Sequence, residues 1–131
     1  MDRSQVQDWL DRYVAAWRAN QREPIEALFT EDAVYRWAPF GEKWTVRGRT
    51  EIAESWLATP DDPGSWEASY APFAVDGQRA VAVGRSRYLP RDEQGERVFH
   101  NVFLLEFEAD GRCSSFTELY MREEPPQASG Q

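Results

Sequence analysis

"RVFHNVFLLEFEADGRCSSFTELY", residues 97–120, decides how this chain folds. Two extended segments flank "ADGR", whose Asp-Gly pair is a tight-turn signal. On the first segment Phe99, Asn101, Phe103, Leu105 and Phe107 share a parity, and successive side chains of a strand point to opposite faces. One side is therefore apolar and buried, with an asparagine set among rings. Working back, "DGQ" is another tight turn and "PRDEQGE" a longer loop. The spacing predicts strands over 66–75, 79–89, 97–108 and 113–122, a meander of antiparallel neighbours.

The first half reads differently. Val6, Trp9, Leu10, Tyr13, Val14 and Trp17 recur at helical spacing, so 4–20 is predicted as an amphipathic helix. Ser4 is its expected cap, with Gln7 closing a capping box. "NQREP" ends it, and Pro24 suits the first turn of a short second helix carrying Ile25, Leu28 and Phe29. A strand over 34–37, the turn "APFGEK" and a strand over 44–47 make a hairpin. "RGRTEIAESW" starts a third helix, capped near Arg49 or Thr50, with Ile52, Ala53 and Trp56 facing inward. The prolines of "ATPDDPGS" stop it. Helices first and a meander after is an α+β arrangement. The natural burial is a curved antiparallel sheet wrapped around the N-terminal helices, a cone with an internal cavity and an open end. Residues 1–124 are expected to form one domain, and the polar, proline-bearing 125–131 a disordered tail.

At 131 residues, 41% hydrophobic and 29% charged, the composition is that of a globular domain. A net charge of −8 argues against nucleic acid and against anionic membrane surfaces as partners. The N-terminus lacks the apolar run of a signal peptide, and no stretch has the length of a membrane span. Cys113 stands alone, which excludes a disulfide framework and fits a reducing, cytoplasmic compartment. Aromatic residues reach 14%, including six Trp. They concentrate in "VYRWAPFGEKW", residues 34–44, where Tyr35 and Trp37 share a parity and Arg36 opposes them. Tyr13 and Trp17 lie one helical turn apart. Such rings line apolar ligand pockets.

"YVAAW", "IEALFTEDAVY", "VRGRTEI" and "DGRCSSFTELY", in that order over residues 4–122, resemble the landmarks of the SnoaL-like branch of the nuclear transport factor 2-like superfamily. The resemblance implies a cone whose first hairpin lines the mouth and whose first helix forms the floor. It also implies a homodimer through the outer sheet face. Ketosteroid isomerases of that superfamily use a tyrosine on the first helix and two aspartates. Tyr13 falls on the tyrosine position, but Trp37 and Phe103 fall on the acids, so that chemistry is not expected. The polyketide cyclases are weakened by the same gap. The limonene-epoxide-type hydrolases position water with a tyrosine and an asparagine and activate it with an Asp-Arg-Asp set. Tyr35 matches the tyrosine and Trp37 replaces the asparagine. Arg85 matches the arginine, Arg87 replaces the first aspartate and Glu118 takes the place of the second.

The candidate catalytic residues are therefore Glu118, Arg85 and Tyr35. Glu118 between two guanidiniums would be a weakened base, or a structural partner of Arg85. Arg85 and Arg87 project from one face of their strand. If that face is inward they bind an anionic ligand group bidentately; if outward, they are solvated. Tyr13, Trp17, Trp37, Trp56, Arg87, Asn101, Phe103 and Tyr120 are the candidate ligand-binding residues. Asn101 needs a partner or orients a ligand. His100 faces the other way without companions, so metal binding is not expected, and nothing activates Cys113 as a nucleophile. The expected function is binding of a small hydrophobic, polyketide- or terpene-like molecule. Hydrolysis or isomerisation without a cofactor is the catalytic form of that reading, and a non-catalytic ligand-binding or dimeric interaction module is the alternative.

Overall fold

The computed structural model describes residues 1–91 and 93–124, so the expectation of a disordered tail over 125–131 lies outside the described residues. The elements run α1 (Arg3–Ala19), α2 (Arg22–Glu26), β1 (Phe29–Arg36), β2 (Thr45–Arg47), α3 (Arg49–Ala58), β3 (Trp66–Asp76), β4 (Arg79–Tyr88), β5 (Arg97–Phe107) and β6 (Cys113–Arg122). The strands form one curved, unclosed sheet in the order β2-β1-β6-β5-β4-β3. Its neighbours pair antiparallel, except β1 and β6, which run parallel. The α+β reading of the sequence therefore holds.

The boundaries differ where a nearer partner wins. Asp2, not Ser4, caps α1: its carboxylate accepts from the Gln5 backbone N–H at 2.8 Å, and the Gln5 side chain answers at 2.9 Å. That is the capping box two residues earlier than Ser4–Gln7. Phe29 belongs to β1 rather than to the second helix, because Cys113 N–H donates to the Leu28 carbonyl at 2.9 Å and starts the parallel ladder there. Trp44 ends a single 3₁₀ turn, Glu42–Trp44, before β2 begins. Gly48, at φ 88°, caps α3 in place of Arg49 or Thr50, a backbone conformation that side-chain-bearing residues avoid.

The concave face of the sheet packs on α1. Trp9 is fully buried and meets the rings of Tyr13, Phe29, Phe107 and Phe116; its indole N–H donates to the Leu28 carbonyl at 3.0 Å. Gln7 and Arg3 reach the Tyr70 and Pro72 carbonyls of β3. β3 is an edge strand, which is why Pro72, lacking a donor, is tolerated beside a bulge. Toward the C-terminal end of α1, beside Tyr13 and Trp17, a cavity opens between the helix and the sheet.

Candidate active site

The cavity encloses about 230 Å³. Tyr13 and Trp17 of α1, Tyr35 of β1, Trp37 just beyond it and Trp56 of α3 form one wall. Tyr70 of β3, Ser86 and Tyr88 of β4, Phe99 and Asn101 of β5, and Glu118 and Tyr120 of β6 form the other. The loop after α3 makes a rim from Thr59, Pro60 and Asp61. Two side chains of α1 and its C-cap hold that rim: Trp17 donates to Asp61 Oδ2 at 3.0 Å, Asn20 Nδ2 donates to the Asp61 carbonyl at 3.1 Å. Trp17 also stacks on Trp66 with centroids 3.6 Å apart.

Glu118 is the acid inside this cavity. Its Oε2 accepts from Asn101 Nδ2 at 3.0 Å, and Asn101 Oδ1 accepts from the Ser86 hydroxyl at 3.0 Å. Loss of hydration raises the Glu118 carboxyl to about 7, while the Asn101 hydrogen bond opposes that rise. Tyr13 and Tyr35 share a buried hydroxyl–hydroxyl contact of 3.2 Å. Burial holds both well above the ordinary phenol value; Tyr35 and then Glu118 add to the rise at Tyr13, and Glu118 adds to it at Tyr35 while the Tyr13 hydrogen bond opposes it. They therefore remain neutral donors across the working pH range. Tyr88, nearer the mouth, is pushed up to about 12 by burial and then by Asp61.

Of the residues expected from sequence, the structure gathers Tyr13, Trp17, Tyr35, Trp37, Trp56, Asn101, Glu118 and Tyr120 around the cavity. Three do not belong there. Phe103 is 1% exposed and lies in the core against Tyr13, Tyr70 and Phe116. Arg85 and Arg87 project from the outer face of β4, where Arg87 pairs with Glu67 and Glu96. The expected Arg85–Glu118 pair is absent, and among the described residues no basic side chain lines the cavity. The outward option left open by sequence is the one adopted, so these two arginines do not face the cavity. The signal was in the strand itself: Ala80, Ala82, Gly84, Ser86 and Tyr88 alternate with Arg79, Val81, Val83, Arg85 and Arg87. Three arginines on one parity mark the solvent face. The same parity would have placed Ser86 and Tyr88 at the site, and that of Trp66 on β3 would have added Tyr70.

The SnoaL-like domain model matches residues 10–116, and the chain belongs to that family. Three solved structures share the fold. An LEH-like epoxide hydrolase of M. tuberculosis is 15% identical, with a TM-score of 0.64 over 90% of this chain and 84% of its own. A protein of unknown function with a cystatin-like fold from Methylobium petroleophilum PM1 is 20% identical, with a TM-score of 0.67 over 100% and 83%. An NTF2-like protein of unknown function from Mesorhizobium loti is 19% identical, with a TM-score of 0.65 over 92% and 95%. No curated protein matches. No described helix is long and apolar enough to cross a membrane.

Proposed function

We propose that this protein is a cofactor-independent acid–base enzyme acting on a small, neutral, oxygen-bearing apolar molecule of the epoxide or ketone class. The observation that carries the reading is Glu118: a carboxyl with one amide donor and no cation, facing an aromatic cavity and raised to about 7. A group near neutrality both takes and returns a proton at working pH. The Tyr13–Tyr35 pair supplies neutral hydroxyls for an oxygen that gains negative charge.

On an epoxide, Glu118 takes a proton from water as its oxygen bonds to a ring carbon. The carbon–oxygen bond breaks toward the tyrosine hydroxyls, and the alkoxide then receives, through those hydroxyls, the proton that Glu118 took, giving a diol and restoring the carboxylate. On a β,γ-unsaturated ketone, Glu118 takes a proton from the carbon between the carbonyl and the double bond and returns it to the far carbon of the resulting dienolate, giving the conjugated ketone. Water is the only co-reactant in the first case and none is needed in the second. The fold shared with an LEH-like epoxide hydrolase is compatible with the epoxide arm. Small cyclic epoxides and ketones incubated in ¹⁸O-labelled deuterated water, with mass detection, test both arms. Label should enter at least one substrate with the wild type and fall at least about 100-fold with Glu118→Gln. Equal labelling by the two proteins would overturn the role of Glu118, and absence of label across the panel would overturn the enzyme reading in favour of a binding module.

Assembly as a homodimer is part of the same proposal. Val83, Val102 and Leu119 are register neighbours across β4, β5 and β6 on the outer face, and exposed Leu104 and Met121 flank them. An apolar stripe of that kind calls for cover by a partner, here a second copy. The lone, buried Cys113 accords with a cytoplasmic setting.

A further inference from the structure

Four adjacent strands each contribute one polar side chain to a line across the concave face. Tyr70 comes from β3, Ser86 from β4, Asn101 from β5 and Glu118 from β6, in the order in which the strands lie. Ser86 and Asn101 are both about 95% buried, at 4% and 5% exposure. The Ser86 hydroxyl donates to Asn101 Oδ1 at 3.0 Å, and Asn101 Nδ2 donates to Glu118 Oε2 at 3.0 Å. Tyr70 and Ser86 both line the cavity, and the Tyr70 ring lies against Gly84, two residues before Ser86.

Gly84 makes this line possible. It sits in register between Tyr70 and Asn101. A Cβ there would lie 2.1 Å from the Ser69 carbonyl oxygen and 2.4 Å from Tyr70 Cδ1. Its absence lets the Tyr70 ring lie down against β4.

An amide can present either end to a carboxyl group. With its oxygen toward Glu118 it favours the protonated acid; with its N–H toward Glu118 it favours the carboxylate. A serine hydroxyl alone does not choose, because it donates and accepts equally well. A second hydroxyl that gives its proton to Ser86 directs the Ser86 proton onward to Asn101 Oδ1, and the amide N–H is then left for Glu118. We propose that Tyr70, Ser86 and Asn101 form a positioning relay that holds the Asn101 N–H against Glu118 Oε2 and so keeps the Glu118 carboxylate accessible without a basic partner. The relay rests on Glu118 being the proton-transferring group of the cavity. It fills the place that a cation has in a paired acid: it opposes the desolvation that drives Glu118 upward. The other titratable groups around Glu118 are Tyr13 from α1, Tyr35 from β1, Tyr88 from β4, Tyr120 on its own strand and Asp61 from the rim. Tyr13, Tyr35 and Tyr88 are held above the ordinary phenol value and carry no charge at neutral pH, and Asp61 is tied to Trp17.

The test reads the relay without turnover. Carbon-detected NMR follows the Glu118 carboxyl through pH 4–9 in the wild type and in Tyr70→Phe, Ser86→Ala and Asn101→Leu, with Tyr88→Phe as an off-relay control. The Asn101 side-chain amide protons of the wild type should shift with the Glu118 midpoint. Asn101→Leu should raise that midpoint by about one pH unit, and Ser86→Ala and Tyr70→Phe by about half as much. Tyr88→Phe should leave it within about 0.2 unit. Wild-type midpoints in both Ser86→Ala and Tyr70→Phe would overturn the relay. So would amide protons that ignore the Glu118 titration, a reading that stands even if Ser86→Ala fails to fold. A wild-type midpoint near the ordinary 4.5 would instead remove the acid–base reading of Glu118, and the relay with it.

Discussion

A buried carboxylate loses hydration that only charges or hydrogen bonds replace, and Glu118 has a single amide in exchange. Sequence placed this residue at the site through its position in "FTELY". It did not reveal the partner, because pairing is a cross-strand matter and β4 could be read with either parity. Taking Arg85 as the partner made Glu118 a weakened base; with Asn101 in that place it is a base matched to neutral pH. The aromatic residues were more legible, since ring density and helical spacing are local properties. The Tyr13–Tyr35 contact makes its own prediction. Tyr35→Phe removes one of two buried hydroxyls and should cost about 1 kcal/mol in a denaturant curve. In labelling assays it should reduce turnover by about tenfold or more if those hydroxyls receive the developing oxyanion. Unchanged turnover would reassign the pair to the core.

At the scale of elements, the long periodic segments were legible and the junctions were not. α1 and the last four strands carry enough repeats of period 3.6 or 2 to declare themselves. β1 was shortened because "FTEDAV" contains charged residues that read as a turn; its parallel partner β6 is more than seventy residues away in sequence. The cap of α1 was misplaced because Asp2 and Ser4 both satisfy the chemistry and only geometry separates them. Asp2→Ala should therefore cost about 1 kcal/mol, and Ser4→Ala should lie within about 0.5 kcal/mol of wild type. On β4, Gly84→Ala puts a methyl group into the Ser69 carbonyl and the Tyr70 ring. Thermal melts should show destabilisation of about 1–3 kcal/mol, the range for overpacking, together with a displaced Glu118 titration.

For the whole molecule, the resemblance of four short motifs gave the curved sheet and its order of helices, and the family match agrees with it. The volume of the cavity was not legible, since it is the difference between ring sizes and the space between α1 and the sheet. The outer face belongs to this scale as well. If Val83, Val102 and Leu119 meet a second copy, light scattering at micromolar concentration should give twice the chain mass of 15.2 kDa, and Leu104→Glu should halve it. A monomer in the wild type would contradict that assembly and leave the cavity unaffected.

Glu118 is a desolvated carboxyl inside the cavity with an amide donor and no basic partner, and one measurement reaches this without knowledge of the substrate. Unfolding free energies of wild type and Glu118→Gln are compared from pH 4 to pH 9. The folded Glu118 holds its proton up to about 7, against an ordinary value of 4.5. Its raised value means that wild-type stability is intact below about 4.5 and declines as pH rises toward 7 and beyond. Glutamine has no such dependence. Glu118→Gln should therefore gain stability relative to wild type across that window, by about 3 kcal/mol in full from a shift of this size. A difference that does not change with pH, or one that moves against the variant as pH rises, would show a solvated or ion-paired carboxylate and contradict the account.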